Sequence, residues 1–355
     1  MKIWHIVSNR WNSAIAEYAL SCARATKNIG ADVLVTPLTG SPLEARLQAA
    51  GFEPGSVEHF GPGKYPHLAK IATNFEPDVI ITYGGPETTA ALILKGRARL
   101  IRFHGYKSEQ SHPVASIARV LGHFHVDKVL APSEFVASVL RGALAPPVEI
   151  LTLGCDTDVY QFKDIKRDVR PELLIFGRLD PVKGHREFLS VFKKILLLAE
   201  KNVAPRPKLR VVGLAANLSP LHISAEAQKA GIESQDMEIH CQKVSNVAEL
   251  MSKVSLGVIS SLGSEVICRV AEEFLLCGTP VVTTNAGSLP EVFFEESFGA
   301  CYSGQDEDHS AEIIYKILMT SFAEDNSSRQ IRAAAAKTYF SIDAMAKSMQ
   351  LILKS

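Results

Sequence analysis

The chain has 355 residues, of which 46% are hydrophobic and 21% charged, and its 38 Lys and Arg balance its 38 Asp and Glu. This composition excludes a disordered chain, and the balanced charge argues against wholesale binding to nucleic acid. The length is that of two ordinary domains. The six cysteines are scattered and include no CxxC pair, which is typical of reduced thiols in a cytoplasmic protein. Neither a signal peptide nor an apolar run long enough to span a bilayer is expected.

Short β-branched runs alternate with helical patterns along the chain. They read KIWHIVS, ADVLVTP, DVIITYG, ARLIRFHG and DKVLAPS in the first half, then ELLIFG, LRVVG, SLGVISS and PVVTT in the second. Amphipathic stretches such as 14–27 and 185–198 separate them, so the sequence predicts repeated βα units with parallel sheets. The predicted fold class is α/β, with two doubly wound Rossmann-like domains facing a central cleft that holds the ligand.

A polar, charged segment interrupts the series between about Asp156 and Pro171, as an interdomain linker does. We therefore place an N-terminal domain at 1–164 and a C-terminal domain at 165–338. The tail at 339–355 is amphipathic, and we expect it to pack back on the N-terminal domain.

The apolar stretch SEVICRVAEEFLLCGTPVV carries three glutamates. Helical periodicity follows Glu265 and is stopped by Gly278 and Pro280, which puts Glu265 in a strand-to-helix turn at the positive end of the helix dipole. Glu272 and Glu273 flank the apolar stripe on opposite sides. Periodicity leaves open which of the two faces a ligand; the alternative is that Glu265 is a cap that stabilises the helix dipole and that both other glutamates are solvated.

A second turn lies in ELLIFGRLDPVKGHREFLSVF, after the strand Glu172–Phe176 and before a helix that begins near Gly184. Lys183 lies at the helix start, where the dipole disfavours cations, and Arg178 lies in the same turn. Two cations at this place indicate a bound anion, held also by backbone N–H groups. The alternative is that both are simply exposed turn residues.

Together, GRLDPVKGH, the E-x7-E spacing from Glu265 to Glu273, CGTPVV and AGSLPEV resemble the retaining nucleotide-sugar glycosyltransferases of group 1, which have the GT-B architecture. DKVLAPSEF and ILTLGCDTDVYQF are similar to two further segments of that family. The likeness covers most of residues 101–295.

The resemblance implies a site for the diphosphate of a nucleotide-sugar donor. Arg178 and Lys183 would bind the diphosphate in the turn that begins at Gly177. Backbone amides near Ile267 and Cys268 would meet phosphate oxygens. The cations would stabilise the negative charge that develops on the leaving group, so no metal and no other cofactor is expected.

The resemblance also assigns the sugar contacts. Glu265 would contact the transferred sugar, and Glu273 would accept hydrogen bonds from the ribose hydroxyls, which leaves Glu272 solvated. His104 follows a strand of the first domain and matches a family position near the reaction centre, where an imidazole could donate to a hydroxyl or a phosphate. A structural role for this histidine is the alternative.

Three features outside these motifs bear on partners. Asp156-Thr157-Asp158 has D-x-D spacing, but it lies in the linker, and we do not interpret it as a metal site. The turn 8–18 has no glycine where the family often has a pair, so Asn12 and Ser13 are predicted to cap a helix instead. The segment 95–141 has an excess of five cations, which either attracts an anionic acceptor or lipid headgroups or covers solvated helix faces.

These observations predict a cytoplasmic retaining hexosyltransferase, peripheral to the inner membrane face at most. Its partners would be a nucleotide-sugar donor and a saccharide or lipid-linked acceptor, in surface polysaccharide or lipopolysaccharide synthesis. Nucleic acid is not an expected partner. Two alternatives are a nucleotide-sugar epimerase of the same fold, which would need no acceptor, and a non-catalytic sugar-binding protein.

Overall fold

The computed structural model describes residues 1–11, 13–105, 125–142, 145–167, 169–263, 265–267 and 269–355. These residues form two compact units, one comprising Met1–Gly154 with Phe340–Ser355 and the other Cys155–Tyr339. The contacts thus change unit after Gly154 and again after Tyr339, whereas the sequence analysis placed the boundaries after residues 164 and 338.

The first unit is a six-stranded parallel sheet with the strand order β2-β1-β3-β4-β5-β6. The strands are short and rich in branched residues, and those of the four central strands are mostly buried against helices, as both faces of a covered parallel sheet require. Its elements are β1 Lys2–Ile6, α1 Ala14–Asn28, β2 Asp32–Thr36, α2 Pro42–Ala49, α3 Tyr65–Phe75, β3 Val79–Thr82, α4 Gly85–Leu94, β4 Arg99–Phe103, β5 Lys128–Ala131, α5 Glu134–Leu140 and β6 Val148–Ile150.

The C-terminal helix Ile342–Lys354 belongs to this first unit, where it packs along α1. Two strand cations reach the last carbonyls of this helix: Arg99 donates to Leu353 O, and Lys128 Nζ donates to Ile352 O at 3.1 Å. Cations at a helix C-terminus complement the dipole and satisfy carbonyls that have no partner within the helix. Some cations of the segment 95–141 therefore serve an internal structural purpose.

The second unit is also a six-stranded parallel sheet, with the order β12-β11-β10-β7-β8-β9. Its core lies between the sheet and two long helices that pack against each other. Its elements are β7 Glu172–Phe176, α6 His185–Lys201, β8 Lys208–Val212, α7 Pro220–Lys229, β9 Met237–His240, α8 Val247–Lys253, β10 Leu256–Ile259, α9 Arg269–Leu276, β11 Val281–Thr283, β12 Gly299–Cys301, α10 Glu307–Ala323 and α11 Asn326–Phe340.

Each sheet has one point at which the direction of winding reverses. In the first unit the chain runs from β1 outward to β2 and then returns to β3 on the other side of β1; in the second it runs from β7 to β8 and β9 and returns to β10 beside β7. The carboxyl ends on either side of such a switch point form a crevice in which ligands bind. The prediction of two doubly wound parallel domains is confirmed, and the crevices lie at β1/β3 and β7/β10.

Among the helices of the described residues, none is both long enough and apolar enough to cross a membrane.

Candidate active site

The turn after β7 is held against the end of β10. Leu262 N donates to Val182 O at 2.8 Å, and Ser260 Oγ donates to Lys183 O at 2.8 Å. Gly184 follows with φ +64°, and a Cβ at this position would lie 1.9 Å from Ser260 O. Only glycine allows so close an approach, so GRLDPVKGH places Lys183 at the switch point for a steric reason.

Lys183 and Glu265 meet in this crevice. The Lys183 ammonium donates to Glu265 Oε1, which also accepts a hydrogen bond from Ser261 Oγ at 2.5 Å. The backbone of Glu265 is held as well, because Ser288 N donates to its carbonyl oxygen at 2.9 Å. A Cβ on Gly287 would lie 1.9 Å from that same oxygen. The motif AGSLPEV therefore positions Glu265 through backbone contacts.

Arg178 lies two residues beyond β7 and is exposed. Its carbonyl oxygen accepts a hydrogen bond from His185 Nε2 at 2.9 Å, which places the imidazole proton on that nitrogen. Burial lowers the pKa of His185, so the ring is neutral near pH 7. Within the described residues the Arg178 guanidinium has no hydrogen-bond or ion-pair partner. The sequence analysis did not identify His185, whose position directly after the glycine of the turn is the only sequence signal.

Glu273 belongs to a second cluster, on α9. Arg269, the first residue of that helix, donates from Nε to Glu273 Oε1 at 2.6 Å. The phenol of Tyr160 hydrogen-bonds to both side chains, and burial followed by the nearby Glu273 charge raises the pKa of Tyr160. Glu273 is thus buried and ion-paired, rather than open on one flank of the helix.

The expectation that Glu272 is solvated is wrong. Its side chain is buried, and Cys155 Sγ donates to Glu272 Oε2 at 3.4 Å. Burial raises the pKa of Glu272 to about 8, with the Glu273 charge adding to the effect. The start of the second unit packs on this flank of α9, a contact that helical periodicity cannot reveal. Glu272 is therefore neutral near pH 7.

The remaining residues predicted to bind the donor are placed as follows. Gly177 N donates to Val212 O at 2.9 Å, and a Cβ on Gly213 would lie 1.7 Å from Gly177 O, so β7 and β8 leave no space between their carboxyl ends. Ile267 is half-buried, just before α9. Cys268 lies outside the described residues.

The β1/β3 switch point of the first unit has its own pocket of about 320 Å³. Its lining comes from the glycine-free turn and from the end of β3: Ser8, Asn9, Arg10, Trp11, Ile15, Tyr83, Gly84 and Gly85. Ser8 N donates to Glu87 Oε1 at 3.0 Å, while the buried Glu87 Oε2 has no hydrogen-bond partner in the described part of the chain. Burial raises the pKa of Glu87.

Two further predictions concern this unit. Ser13 caps α1, since Ser13 Oγ accepts a hydrogen bond from Ala16 N at 3.3 Å, as predicted; Asn12 lies outside the described residues. His104 is buried after β4, and its backbone N donates to Leu130 O at 2.8 Å. Its functional role stays a prediction.

The D-x-D segment forms a local turn. Asp158 N donates to Asp156 Oδ1 at 3.0 Å, and Tyr160 N donates to Asp156 O at 2.8 Å. Across the described ranges, no group of three or more His, Cys, Asp or Glu is arranged to hold a metal ion.

The fold and the site define the protein as one of the GT-B class. It has two α/β units, each with a parallel sheet, and a cation–carboxylate pair lies at the switch point of the second sheet. The model of the family "Glycosyl transferases group 1" matches residues 156–338, just over half of the chain. The chain belongs to this family, as the motifs predicted.

Curated relatives match a part of the chain. The D-inositol 3-phosphate glycosyltransferase of Mycobacterium avium is 26% identical over 209 residues, which cover 54% of this chain and 46% of the relative. The enzyme of the same name from Segniliparus rotundus is 30% identical over 163 residues, covering 43% of this chain and 35% of the relative. The matches thus span less than half the length of these relatives.

Solved structures resemble the whole chain. HepE from Anabaena, in complex with UDP, superposes with a TM-score of 0.78 at 16% identity and covers 100% of both chains. A glycosyltransferase from Rickettsia africae gives a TM-score of 0.81 at 14% identity, covering 99% of this chain and 97% of the other. At these identities the likeness shows the fold.

Proposed function

We propose that this protein is a retaining glycosyltransferase that moves a sugar from a nucleoside-diphosphate sugar to a saccharide or lipid-linked acceptor. Family membership supports the reaction, and the UDP bound in HepE supports the class of donor. The proposed setting is the cytoplasm, with at most peripheral contact with the inner membrane face, and the proposed role is the synthesis of surface polysaccharide or lipopolysaccharide.

The observation that carries this proposal is the Lys183–Glu265 pair at the β7/β10 switch point. When the bond between the anomeric carbon and the diphosphate breaks, negative charge develops on the leaving group. The Lys183 ammonium and the exposed Arg178 guanidinium would stabilise that charge more strongly than they stabilise the ground state, which lowers the barrier. These cations can act without a metal or another cofactor.

Retention of configuration requires the acceptor to attack on the face from which the diphosphate leaves. The acceptor oxygen bonds to the anomeric carbon, the bond to the phosphate oxygen breaks, and the leaving phosphate takes the proton of the acceptor hydroxyl. Glu265 is engaged by Lys183 and Ser261, an arrangement that suits holding sugar hydroxyls better than attacking carbon. Glu273 would accept from the ribose hydroxyls through its two oxygens.

The first unit would supply the acceptor site. Its pocket is lined by the indole of Trp11, which is 76% exposed, and an exposed aromatic ring offers an apolar face for a sugar ring. Arg10 is a further exposed lining residue and suits an anionic group on the acceptor. His104 is proposed to donate a hydrogen bond to the sugar or the phosphate.

The test begins with a thermal-shift screen of UDP-, GDP- and ADP-sugars on the wild-type protein, since a bound donor raises the melting temperature. With the donor found, Lys183→Ala should lower turnover about 100-fold and weaken donor binding less than about tenfold. Lys193→Ala is the control, because Lys193 lies on α6 and its ammonium donates to the carbonyl oxygen of Gly231 at 2.8 Å.

Wild-type turnover in Lys183→Ala would contradict the proposal, and so would a wild-type protein that binds none of the three donors. Conversion of the donor to an epimer without any acceptor would favour the epimerase instead. Binding of sugars without turnover would favour the sugar-binding protein.

A further inference from the structure

Both glutamates of the E-x7-E motif are neutralised by a cation of the same unit. Lys183 pairs with Glu265, and Arg269 Nε lies 2.6 Å from Glu273 Oε1. In each pair the carboxylate is buried and the cation reaches solvent: the side chains of Glu265 and Glu273 are 11% and 4% exposed, those of Lys183 and Arg269 30% and 36%. An incoming ligand can therefore reach the cations more easily than the carboxylates.

Local helix energetics do not explain Arg269. It is the first residue of α9, where the helix dipole disfavours a cation. Its pair with Glu273 also has the weaker of the two orientations, since an acid is better placed four residues before a base than after it. The same disfavoured position of Lys183 at a helix start indicated an anion site, and Arg269 repeats that pattern four residues after Glu265 in the sequence.

We propose that Arg269 is a third cation of the diphosphate site, and that donor binding makes it exchange Glu273 for phosphate oxygens. The inference rests on the proposed function. Arg269 directly follows the residues whose amides are expected to meet the phosphates. A guanidinium that turns away from Glu273 and Tyr160 can offer two parallel N–H donors to an oxyanion.

The exchange leaves no charge without a partner. In the unliganded protein Arg269 and the Tyr160 phenol offset the burial of the Glu273 carboxylate, which would otherwise be costly. In the complex the ribose hydroxyls donate to Glu273 in place of the guanidinium, and Tyr160 stays as the remaining donor. Binding the nucleoside and binding the diphosphate are therefore coupled through one ion pair.

A simpler role must be distinguished, in which Arg269 only positions Glu273 for the ribose and never touches the donor. The two roles differ for a ligand without phosphates. A positioning residue would matter equally for a nucleoside and its diphosphate, whereas a phosphate ligand would matter for the diphosphate alone.

The experiment compares wild type, Arg269→Gln and Glu273→Gln. UDP, GDP and ADP are titrated calorimetrically onto wild type, and the tightest is then measured on the variants, with its nucleoside followed by ligand-observed NMR. We expect Arg269→Gln to weaken the diphosphate about 10- to 100-fold and to leave the nucleoside within about twofold. Glu273→Gln should weaken the nucleoside more than the diphosphate, because both lose the ribose contact but only the diphosphate gains the Arg269 guanidinium that this substitution releases.

Equal losses for both ligands in Arg269→Gln would overturn the inference in favour of simple positioning, and unchanged diphosphate binding would overturn it outright. Neither result would touch the proposed function, which fails instead if no nucleoside diphosphate binds wild type. Should Arg269→Gln fail to fold, the double variant Arg269→Gln/Glu273→Gln removes both charges together. It must bind the diphosphate more weakly than Glu273→Gln alone; equal affinity contradicts the exchange.

Discussion

The two switch points are built differently. In the second unit, glycines pack directly on backbone oxygens: a Cβ on Gly184 or on Gly287 would lie 1.9 Å from a carbonyl oxygen of the crevice. In the first unit, the turn after β1 has no glycine and is held by the bond from Ser8 N to the Glu87 side chain. Backbone packing thus defines the charged crevice at β7/β10, whereas side chains define the pocket at β1/β3.

The two units also differ in how their buried carboxylates are paired. In the second unit both motif glutamates are paired with cations, while Glu87 in the first unit, which holds the pocket turn through Ser8, has a buried oxygen without a hydrogen-bond partner in the described residues. A site whose geometry is set by backbone contacts tolerates little change in sequence. A site set by side chains can change its ligand through single substitutions.

The largest effect should come from Gly184→Ala. The new methyl group would meet Ser260 O, and alanine would have to adopt φ +64°. We expect a loss of about 3 kcal/mol in the free energy of unfolding, measured in urea, with the loss of donor binding. Gly63→Ala in the first unit is the control, because nothing lies within 4 Å of a Cβ there. Equal stability of the two variants would remove the steric basis of the comparison.

A second effect, of comparable size but seen only as the pH changes, is the dependence of the free energy of unfolding on the protonation of Glu272. Its pKa is raised from 4.5 to about 8, so the folded protein retains a proton that the unfolded chain loses. The stability from this proton is fully present below pH 4.5 and is lost as the pH rises to 8. At about 1.4 kcal/mol per pH unit, Glu272→Gln should gain roughly 3 kcal/mol over wild type between pH 4.5 and 7.

The measurement is urea unfolding of both proteins at several pH values. Glu249→Gln, on the neighbouring helix α8, is the control: hydrogen bonding to Lys253 lowers the pKa of Glu249, so its contribution changes with pH in the opposite direction. A stability difference between Glu272→Gln and wild type that does not change with pH would show that Glu272 is charged in the fold.

The smallest effect on stability is expected for Trp11→Ala at the first pocket. Because the indole is 76% exposed, the free energy of unfolding should change by less than about 0.5 kcal/mol. The KM for the acceptor should rise several-fold while that for the donor stays unchanged, and Trp11→Phe should restore most of the loss. A changed donor KM with an unchanged acceptor KM would contradict the division of substrates between the two units.

Features that depend on residues close together in the sequence were predicted, whereas contacts between separate elements were not. Alternating β-branched runs and amphipathic stretches predicted both parallel sheets, since strand and helix periodicity is a local property. The motifs around Lys183 and Glu265 marked residues that meet at a switch point, because the motif GRLDPVKGH follows β7 and SEVICRV follows β10. Their meeting requires β7 and β10 to be neighbours, which the strand order decides.

By itself, therefore, the sequence determined the fold class, the family and the segments that carry the charges. Only the tertiary structure decided the state of those charges. In it, Glu272 is buried in contact with Cys155, and Glu273 is hydrogen-bonded by Tyr160 and Arg269. His185 donates to the backbone oxygen of Arg178. Such contacts join residues from separate elements, and the cost of burying a charge depends on neighbours that local periodicity does not specify.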